Sequence, residues 1–139
     1  MPRLAALLIT FWVGSLWTIC GLVAPMLFAT LEDRHAAGNL AATFFRAATV
    51  ISVVVGAVLI ALAVTGRLGS ADRLMKWLIA TTAAAPLLSE VVVGPYMERA
   101  RAAGDMARFG ALHGVAALLF VVACVSGLLL VWRFHRPAG

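Results

Sequence analysis

The stretch AATVISVVVGAVLIALAVTG, residues 47–66, contains no Asp, Glu, Lys or Arg. Three further windows share this character, since residues 4–31 and 109–132 carry no charged side chain and residues 77–97 carry only Glu90. About 20 apolar residues in a helix cross the hydrocarbon core of a bilayer. The four windows therefore predict four transmembrane helices and leave no room for a soluble domain.

The composition of the whole chain agrees with a membrane location. The 139 residues are 63% apolar and 12% charged, whereas soluble domains are about half apolar and a quarter charged. The first apolar run is too long for a cleavable signal peptide, whose apolar region has about 7–15 residues. The net charge is +5, but the basic residues flank the apolar windows, which favours lipid headgroups over nucleic acid as their partner.

These windows predict an all-α fold, an integral membrane four-helix bundle that forms one domain over residues 1–139. The four helices are expected to cover about residues 4–28, 40–64, 73–96 and 109–132. Asn39 is a plausible cap for the second helix. Prolines survive inside membrane helices where neighbours satisfy the freed backbone groups. We therefore expect Pro25 to bend or end the first helix, and Pro86 and Pro95 to interrupt the third.

Small residues recur at helical spacing and predict surfaces where helices approach closely. They form three sets: Gly14, Thr18 and Gly21 on the first helix, Ala48, Ser52 and Gly56 on the second, and Gly110 and Gly114 on the fourth.

Short motifs indicate that the bundle consists of two similar helical hairpins. Val23-Ala24-Pro25 is echoed by Val93-Gly94-Pro95, and the run from Ala36 to Leu40 is echoed by the run from Ala102 to Met106. Two crossings separate the copies, so a parallel repeat with a pseudo-twofold axis along the membrane normal is expected. The offsets of 70 and 66 residues predict that the first connecting loop is four residues longer than the second.

Three polar side chains are predicted to lie at one depth near the face that carries both of these loops: Arg46, Glu90 and His113. An intramembrane carboxylate is costly and normally faces a partner inside the bundle, and imidazoles change charge near neutral pH. The functional interpretation is a polar pocket for a small ligand, a proton or a metal ion, in a transport-associated protein. The structural interpretation is an ion pair that fixes the helix register.

The sequence predicts no cofactor and favours a role other than catalysis, because it lacks phosphate-loop, Cys-x-x-Cys, Gly-x-Ser-x-Gly and His-Glu-x-x-His motifs. Haem held by two imidazoles needs two intramembrane histidines, and His113 is the only histidine within an apolar window. A haem site would therefore have to pair His113 with Met26 or Met97. Copper could use imidazole and thioether ligands on the same side, but their spacing is loose. These copper candidates are His35, His113, Met26, Met97 and Met106. Cys20 and Cys124, counted from the helix ends, are expected to lie beyond disulfide reach.

Lys and Arg residues set the expected topology. With the N-terminus inside, that side holds Arg3, Arg67, Arg73, Lys76, Arg133 and Arg136, against Arg34, Arg46, Arg99, Arg101 and Arg108 outside. This six-to-five distribution favours cytoplasmic N- and C-termini. The preference for Arg over Lys, ten to one, and the lack of a eukaryotic sorting signal favour a bacterial inner membrane.

Several of these residues resemble a known family, the transmembrane protein 205-like family of integral membrane domains of unknown function. The matching motifs are Trp12-x-Gly14, Val23-Ala24-Pro25-Met26-Leu27-Phe28, Ala37-Gly38, Phe44-Phe45, Pro95-Tyr96-Met97 and Phe109-x-x-x-His113-Gly114. The resemblance implies a small four-helix membrane protein without an established activity. Pro25, Pro95 and His113 belong to these motifs, and Glu90 does not.

Two functions of different classes follow from these observations. One is a ligand-binding or transport-associated protein that uses the pocket formed by Arg46, Glu90 and His113. The other is a non-catalytic accessory subunit that packs against itself or a larger membrane complex through its small-residue surfaces, with the lipid bilayer as its surroundings.

Overall fold

Four long helices account for nearly all of the chain in a computed structural model, which describes residues 2–68 and 71–135. Met1, Gly69, Ser70 and residues 136–139, which include Arg136 of the predicted cytoplasmic set, lie outside the described residues. We call the helices helix 1 (residues 2–30), helix 2 (Arg34–Val64), helix 3 (residues 73–102) and helix 4 (Met106–Phe134). All four are long and apolar enough to cross a membrane. The fold is therefore an all-α bundle of an integral membrane protein.

Helices 1 and 3 each contain one π-helical turn, Ile19–Val23 and Ser89–Val93. Each turn ends two residues before a proline, Pro25 or Pro95. A proline ring in an α-helix clashes with the carbonyl four residues earlier, and an extra residue in the preceding turn moves that carbonyl away. Both helices therefore continue past their prolines, to Thr30 and Ala102. Pro25 does not end helix 1, and Pro95 does not end helix 3.

The connecting segments 31–33 and 103–105 have equal length, so the expected difference of four residues was wrong. Asp33, not Asn39, caps helix 2 by accepting hydrogen bonds from His35 N and Ala36 N. Asp105 caps helix 4 in the same manner through Arg108 N. The run from Ala36 to Leu40 is consequently helical, whereas its sequence echo forms a turn around Gly104.

Gly104 closes helix 3 with a left-handed residue. Its φ angle is +71°, and its N–H donates to Arg101 O at 3.1 Å while Asp105 N donates to Ala100 O at 3.0 Å. A side chain at this position would strain the backbone, which is why glycine is common just beyond helix ends.

The helices extend beyond the hydropathy windows because a helix does not stop at the edge of the hydrocarbon. The spans are 28 to 31 residues long, roughly 42–46 Å at 1.5 Å per residue, compared with a hydrocarbon core about 30 Å thick. Polar helical turns at both ends therefore project into the interface between membrane and water. There, aspartate caps determine the first residue of helices 2, 3 and 4.

Each helix packs against its neighbours in the chain, and helix 4 also packs against helix 1, which closes the bundle. Trp12 Nε1 donates to Ser52 Oγ at 2.9 Å between helices 1 and 2. The Phe45 and Phe120 rings meet edge to face at 4.6 Å and connect helices 2 and 4 across the interior. Pro86 is buried within helix 3.

Two glycines lie at the closest helix crossings. A Cβ built on Gly56 would lie 2.5 Å from Ala83 Cβ, and one built on Gly127 would lie 2.9 Å from Val13 Cγ2. The predicted set Ala48, Ser52 and Gly56 is buried at the first crossing, so this stripe packs inside the bundle and is not an external assembly surface.

The other predicted glycines lie on the outside of the bundle. A Cβ built on Gly14, Gly21, Gly110 or Gly114 meets no atom within 4 Å. Their expected packing partners are therefore not helices of the same chain. Gly127 was missed, although Ala123, Gly127 and Leu130 recur at helical spacing and are all buried.

Asp72 connects the start of helix 3 to the end of helix 4. Its carboxylate accepts from Met75 N at 2.9 Å as the helix cap and also pairs with Arg133 Nη2. The hydrogen bond from Arg133, and after it the one from Met75, holds the pKa of Asp72 below its ordinary value. The folded state therefore favours the charged carboxylate, and its stabilising effect is present above the ordinary aspartate pKa.

Acidification should weaken this connection as the pH falls below the ordinary aspartate range and through the depressed pKa of Asp72. Asp72→Asn keeps a good capping residue but removes the charge. We expect thermal stability in detergent, followed from neutral pH to about pH 3, to decline less steeply in Asp72→Asn than in the unmodified protein. Equal slopes for the two proteins would contradict this role of Asp72. The difference should be small, because solvent screens exposed ion pairs.

Candidate functional site

An ion pair between helices 2 and 3 brings together two of the three predicted site residues. Arg46 Nε donates to Glu90 Oε1 at 2.7 Å. Arg46 is the thirteenth residue of helix 2, and Glu90 lies equally far from the end of helix 3. At 1.5 Å per residue each is roughly 18 Å inside its helix, because both helices extend beyond their hydropathy windows.

The pair lies on the outer surface of the bundle. The side chain of Arg46 is 63% exposed and that of Glu90 is 37% exposed. Only one nitrogen of the guanidinium and one oxygen of the carboxylate are engaged, since no further hydrogen bond to either side chain occurs among the described residues. The two terminal nitrogens of Arg46 and Oε2 of Glu90 are therefore free to bind another group.

The π-helical turn explains how Glu90 reaches helix 2. Glu90 is the second residue of Ser89–Val93, and a π-helical turn rotates the side chains within it relative to an uninterrupted α-helix. The same turn buries Ser89 and Val93. Such turns are frequent at functional sites.

His113 does not join the pair. Its side chain is exposed on helix 4, and its ring stacks against Phe109 with the ring centroids 6.0 Å apart. The Arg101 guanidinium also lies over the Phe109 ring, 4.7 Å from its centroid. No hydrogen bond joins His113 to Arg46 or Glu90 among the described residues.

A largely apolar groove of about 580 Å³ lies between helices 1 and 2 on the outer surface. Gly14 and Thr18 line it, together with Phe44 and Ile51. A smaller cavity of about 90 Å³ lies beside Trp132 and Arg133 at the other end of the bundle. Neither cavity is lined by Arg46, Glu90 or His113.

The two cysteines are closer than the sequence indicated. Cys124 belongs to the buried core, Cys20 packs against that core, and the two thiols are near enough to interact with each other. The axial separation inferred from the sequence was too large, because the ends of helices 1 and 4 do not lie in one plane. Helix 4 is displaced along helix 1, so that Trp17 Nε1 donates to Cys124 O at 3.2 Å.

Metal ligands are sparse. Within residues 2–68 and 71–135, no three His, Cys, Asp or Glu side chains form a group that could hold a metal ion. The haem and copper arrangements considered from the sequence, which use His113, His35, Met26, Met97 and Met106, remain untested.

The fold and the charged pair together define a small four-helix integral membrane protein with a polar contact on its outer surface. A family model described as a domain of unknown function, DUF4149, matches residues 7–106, and the chain belongs to this family. The match includes Arg46 and Glu90 and stops before His113. No curated protein and no solved structure matches the chain.

Proposed function

We propose that the protein is a non-catalytic membrane component that assembles with a second copy of itself through the outer face of helices 2 and 3. The observation that carries this proposal is the outward-facing pair of Arg46 and Glu90. Charged side chains within transmembrane helices normally face the bundle interior or a polar partner. Acyl chains provide no polar groups, so a protein surface that covers the pair would lower its free energy.

The second copy fits because the pair is complementary to itself. Arg46 retains unused donors and Glu90 an unused acceptor, and they are in direct contact, so they lie at one level. A twofold axis along the membrane normal would place Arg46 of each copy against Glu90 of the other. Such an interface is closed and uses the same patch on both subunits. It also preserves the orientation of both copies in the membrane.

Complementary charge variants test this proposal. Arg46→Glu leaves two carboxylates on the face and Glu90→Arg leaves two guanidinium groups, so each variant alone should be monomeric because like charges repel. Mixed in one bilayer, the two variants should associate with each other, and the double variant, in which the charges are exchanged, should dimerise like the unmodified protein. Subunit counting by photobleaching in nanodiscs or vesicles measures each case.

Gly114→Leu is a matched control for this measurement. Gly114 lies on helix 4 with open space around it, so added bulk there should leave the dimer intact. An unmodified protein that stays monomeric at high protein-to-lipid ratios would overturn self-assembly. If Arg46→Glu and Glu90→Arg each associate as well alone as they do when mixed, Arg46 and Glu90 do not form the contact between the two copies.

A polar ligand site for a small molecule, a proton or a metal ion at Arg46, Glu90 and His113 is the second proposal. Free donors on Arg46 support it, whereas the stacking of His113 on Phe109 does not contribute to it. Proton flux into vesicles that is lost in Glu90→Gln and His113→Ala, with dimerisation unchanged, would favour this function over assembly. Unchanged flux in both variants would remove a proton-transport role.

The location is proposed to be a bacterial inner membrane with both termini in the cytoplasm. Four crossings place both termini on one side, and the distribution of Arg and Lys favours the cytoplasmic side. Reporter fusions at each terminus test this, and an active periplasmic reporter at either terminus would contradict it. The motifs around Pro25, Pro95 and His113 support placing the chain among transmembrane protein 205-like proteins.

A further inference from the structure

The thiols of Cys20 and Cys124 form a pair that the proposed assembly does not use. Cys20 lies in the π-helical turn of helix 1 and is half-buried, whereas Cys124 lies in helix 4 and is buried. Cys20 packs against the buried core that contains Cys124, and the two thiols are near enough to interact with each other. Both are free cysteines.

The antiparallel packing of helices 1 and 4 explains why the thiols meet. Trp17 donates to the carbonyl of Cys124 at 3.2 Å, which places Cys124 about one turn from Cys20 along the helix axis. Side chains in an α-helix lean toward the N-terminus of their own helix. In an antiparallel pair the Cys20 and Cys124 side chains therefore lean toward each other across that turn.

The close crossing at Gly127 brings the two backbones together beside the thiols. Gly127 is one turn after Cys124, and its missing Cβ leaves room for Val13, whose Cγ2 would lie 2.9 Å from that Cβ. A disulfide requires Cα atoms within about 4.4–6.8 Å, a separation that only closely packed helices provide. A glycine at the crossing is the feature that permits such an approach.

We propose that Cys20 and Cys124 form a reversible disulfide within one chain, which fixes helix 1 to helix 4 inside the membrane. The S–S bond forms as both S–H bonds break, and two electrons and two protons pass to the oxidant. Because the site lies between transmembrane helices, the oxidant must be lipid-soluble. A membrane quinone has this chemistry, since it takes up two electrons and two protons and becomes a quinol. A dithiol reductant reverses the step.

Thiol oxidation of the full-length protein in nanodiscs tests the proposal. After treatment with diamide or a short-chain quinone, unfolding in SDS and alkylation, mass spectrometry should find a monomer that has lost two hydrogen atoms and carries no alkyl group. Reduction before alkylation should restore two labels. Cys20→Ser and Cys124→Ser should each carry one label under every condition, because a single thiol cannot form the intramolecular bond.

A displaced cysteine is the matched control for proximity. Thr18→Cys in the Cys20→Ser background keeps two thiols on the same two helices, but residue 18 lines the groove toward helix 2. This variant should gain little or no disulfide under conditions that fully oxidise the unmodified protein. Equal oxidation of the two proteins would overturn the specific contact.

Two further outcomes would overturn the proposal. One is that both thiols of the folded, unmodified protein stay fully alkylatable after diamide and after quinone. The other is that oxidation gives only cross-linked dimers, which would place the reactive thiols in different copies. A failure of the charge-variant experiment at Arg46 and Glu90 would leave this result unaffected, because the disulfide lies within one chain.

Discussion

Trp12→Ala is expected to lower the free energy of unfolding by about 3–5 kcal/mol, the range observed when a large buried aromatic side chain is truncated. Trp12 is fully buried in the described structure, and its Nε1 donates to Ser52 Oγ at 2.9 Å. Its ring also lies near the crossing at Gly56. In a bilayer the hydrophobic effect adds little between helices, so the loss comes from packing and from the unpaired hydroxyl.

Trp17→Ala is the control for Trp12→Ala, because Trp17 lies on the same helix but is 42% exposed. Its loss should cost less, mainly the hydrogen bond to Cys124 O, which is worth about 0.5–1.5 kcal/mol. Unfolding in mixed micelles, followed by circular dichroism, gives both values. Equal losses at the two positions would contradict the central placement of Trp12.

The second large effect is expected at the crossing of helices 2 and 3. Gly56→Ala places a Cβ 2.5 Å from Ala83 Cβ, and neither atom can rotate away because both are attached directly to the backbone. The helices must separate, and overpacking of this kind costs about 1–3 kcal/mol. Gly56→Leu should prevent folding of the bundle, because a longer side chain meets both Ala83 and Trp12.

A compensating change separates this clash from a general effect of the substitution. Ala83→Gly removes the clashing atom and leaves the Gly56→Ala methyl 3.6 Å from Trp12 Cη2 and 3.9 Å from Ala83 Cα, which are ordinary contacts. The double variant should therefore recover most of the stability lost in Gly56→Ala. Gly14→Ala, with nothing within 4 Å of the added atom, should be neutral or slightly stabilising. Failure of Ala83→Gly to restore stability would show that the crossing is looser than described.

The two close crossings are related by nearly constant offsets, which bears on the proposed repeat. Gly56 faces Ala83 and Trp12, while Gly127 faces Val13 and Thr82. The offset is 71 residues between the glycines and 70 between their partners, and the two π-helical turns also lie 70 residues apart. These contacts support two similar hairpins better than the Ala-Ala-Gly echo does, because the two copies of that echo adopt different structures.

Hydropathy predicted the number of helices and their approximate centres because each apolar window is long enough to require a helix in lipid. It placed the start of helix 2 near residue 40, since a polar turn in the interface carries no apolar signal. Asp33 is the residue that caps the true start of helix 2. A capping residue indicates a helix start only when the segment after it is already predicted to be helical. Spacing also predicted that Arg46, Glu90 and His113 lie at one depth, and the structure brings Arg46 and Glu90 into contact.

The sequence by itself determined the membrane environment, the helix count and the similar depth of Arg46 and Glu90, because these depend on where uncharged stretches begin and end. Only the tertiary structure decided which face each residue occupies. The rotation and axial displacement of packed helices arise from side-chain contacts between helices. The hydropathy pattern of one helix does not predict these contacts. For that reason the structure placed Gly14 outside, Gly127 at a crossing, His113 apart from the ion pair, and Cys20 against Cys124.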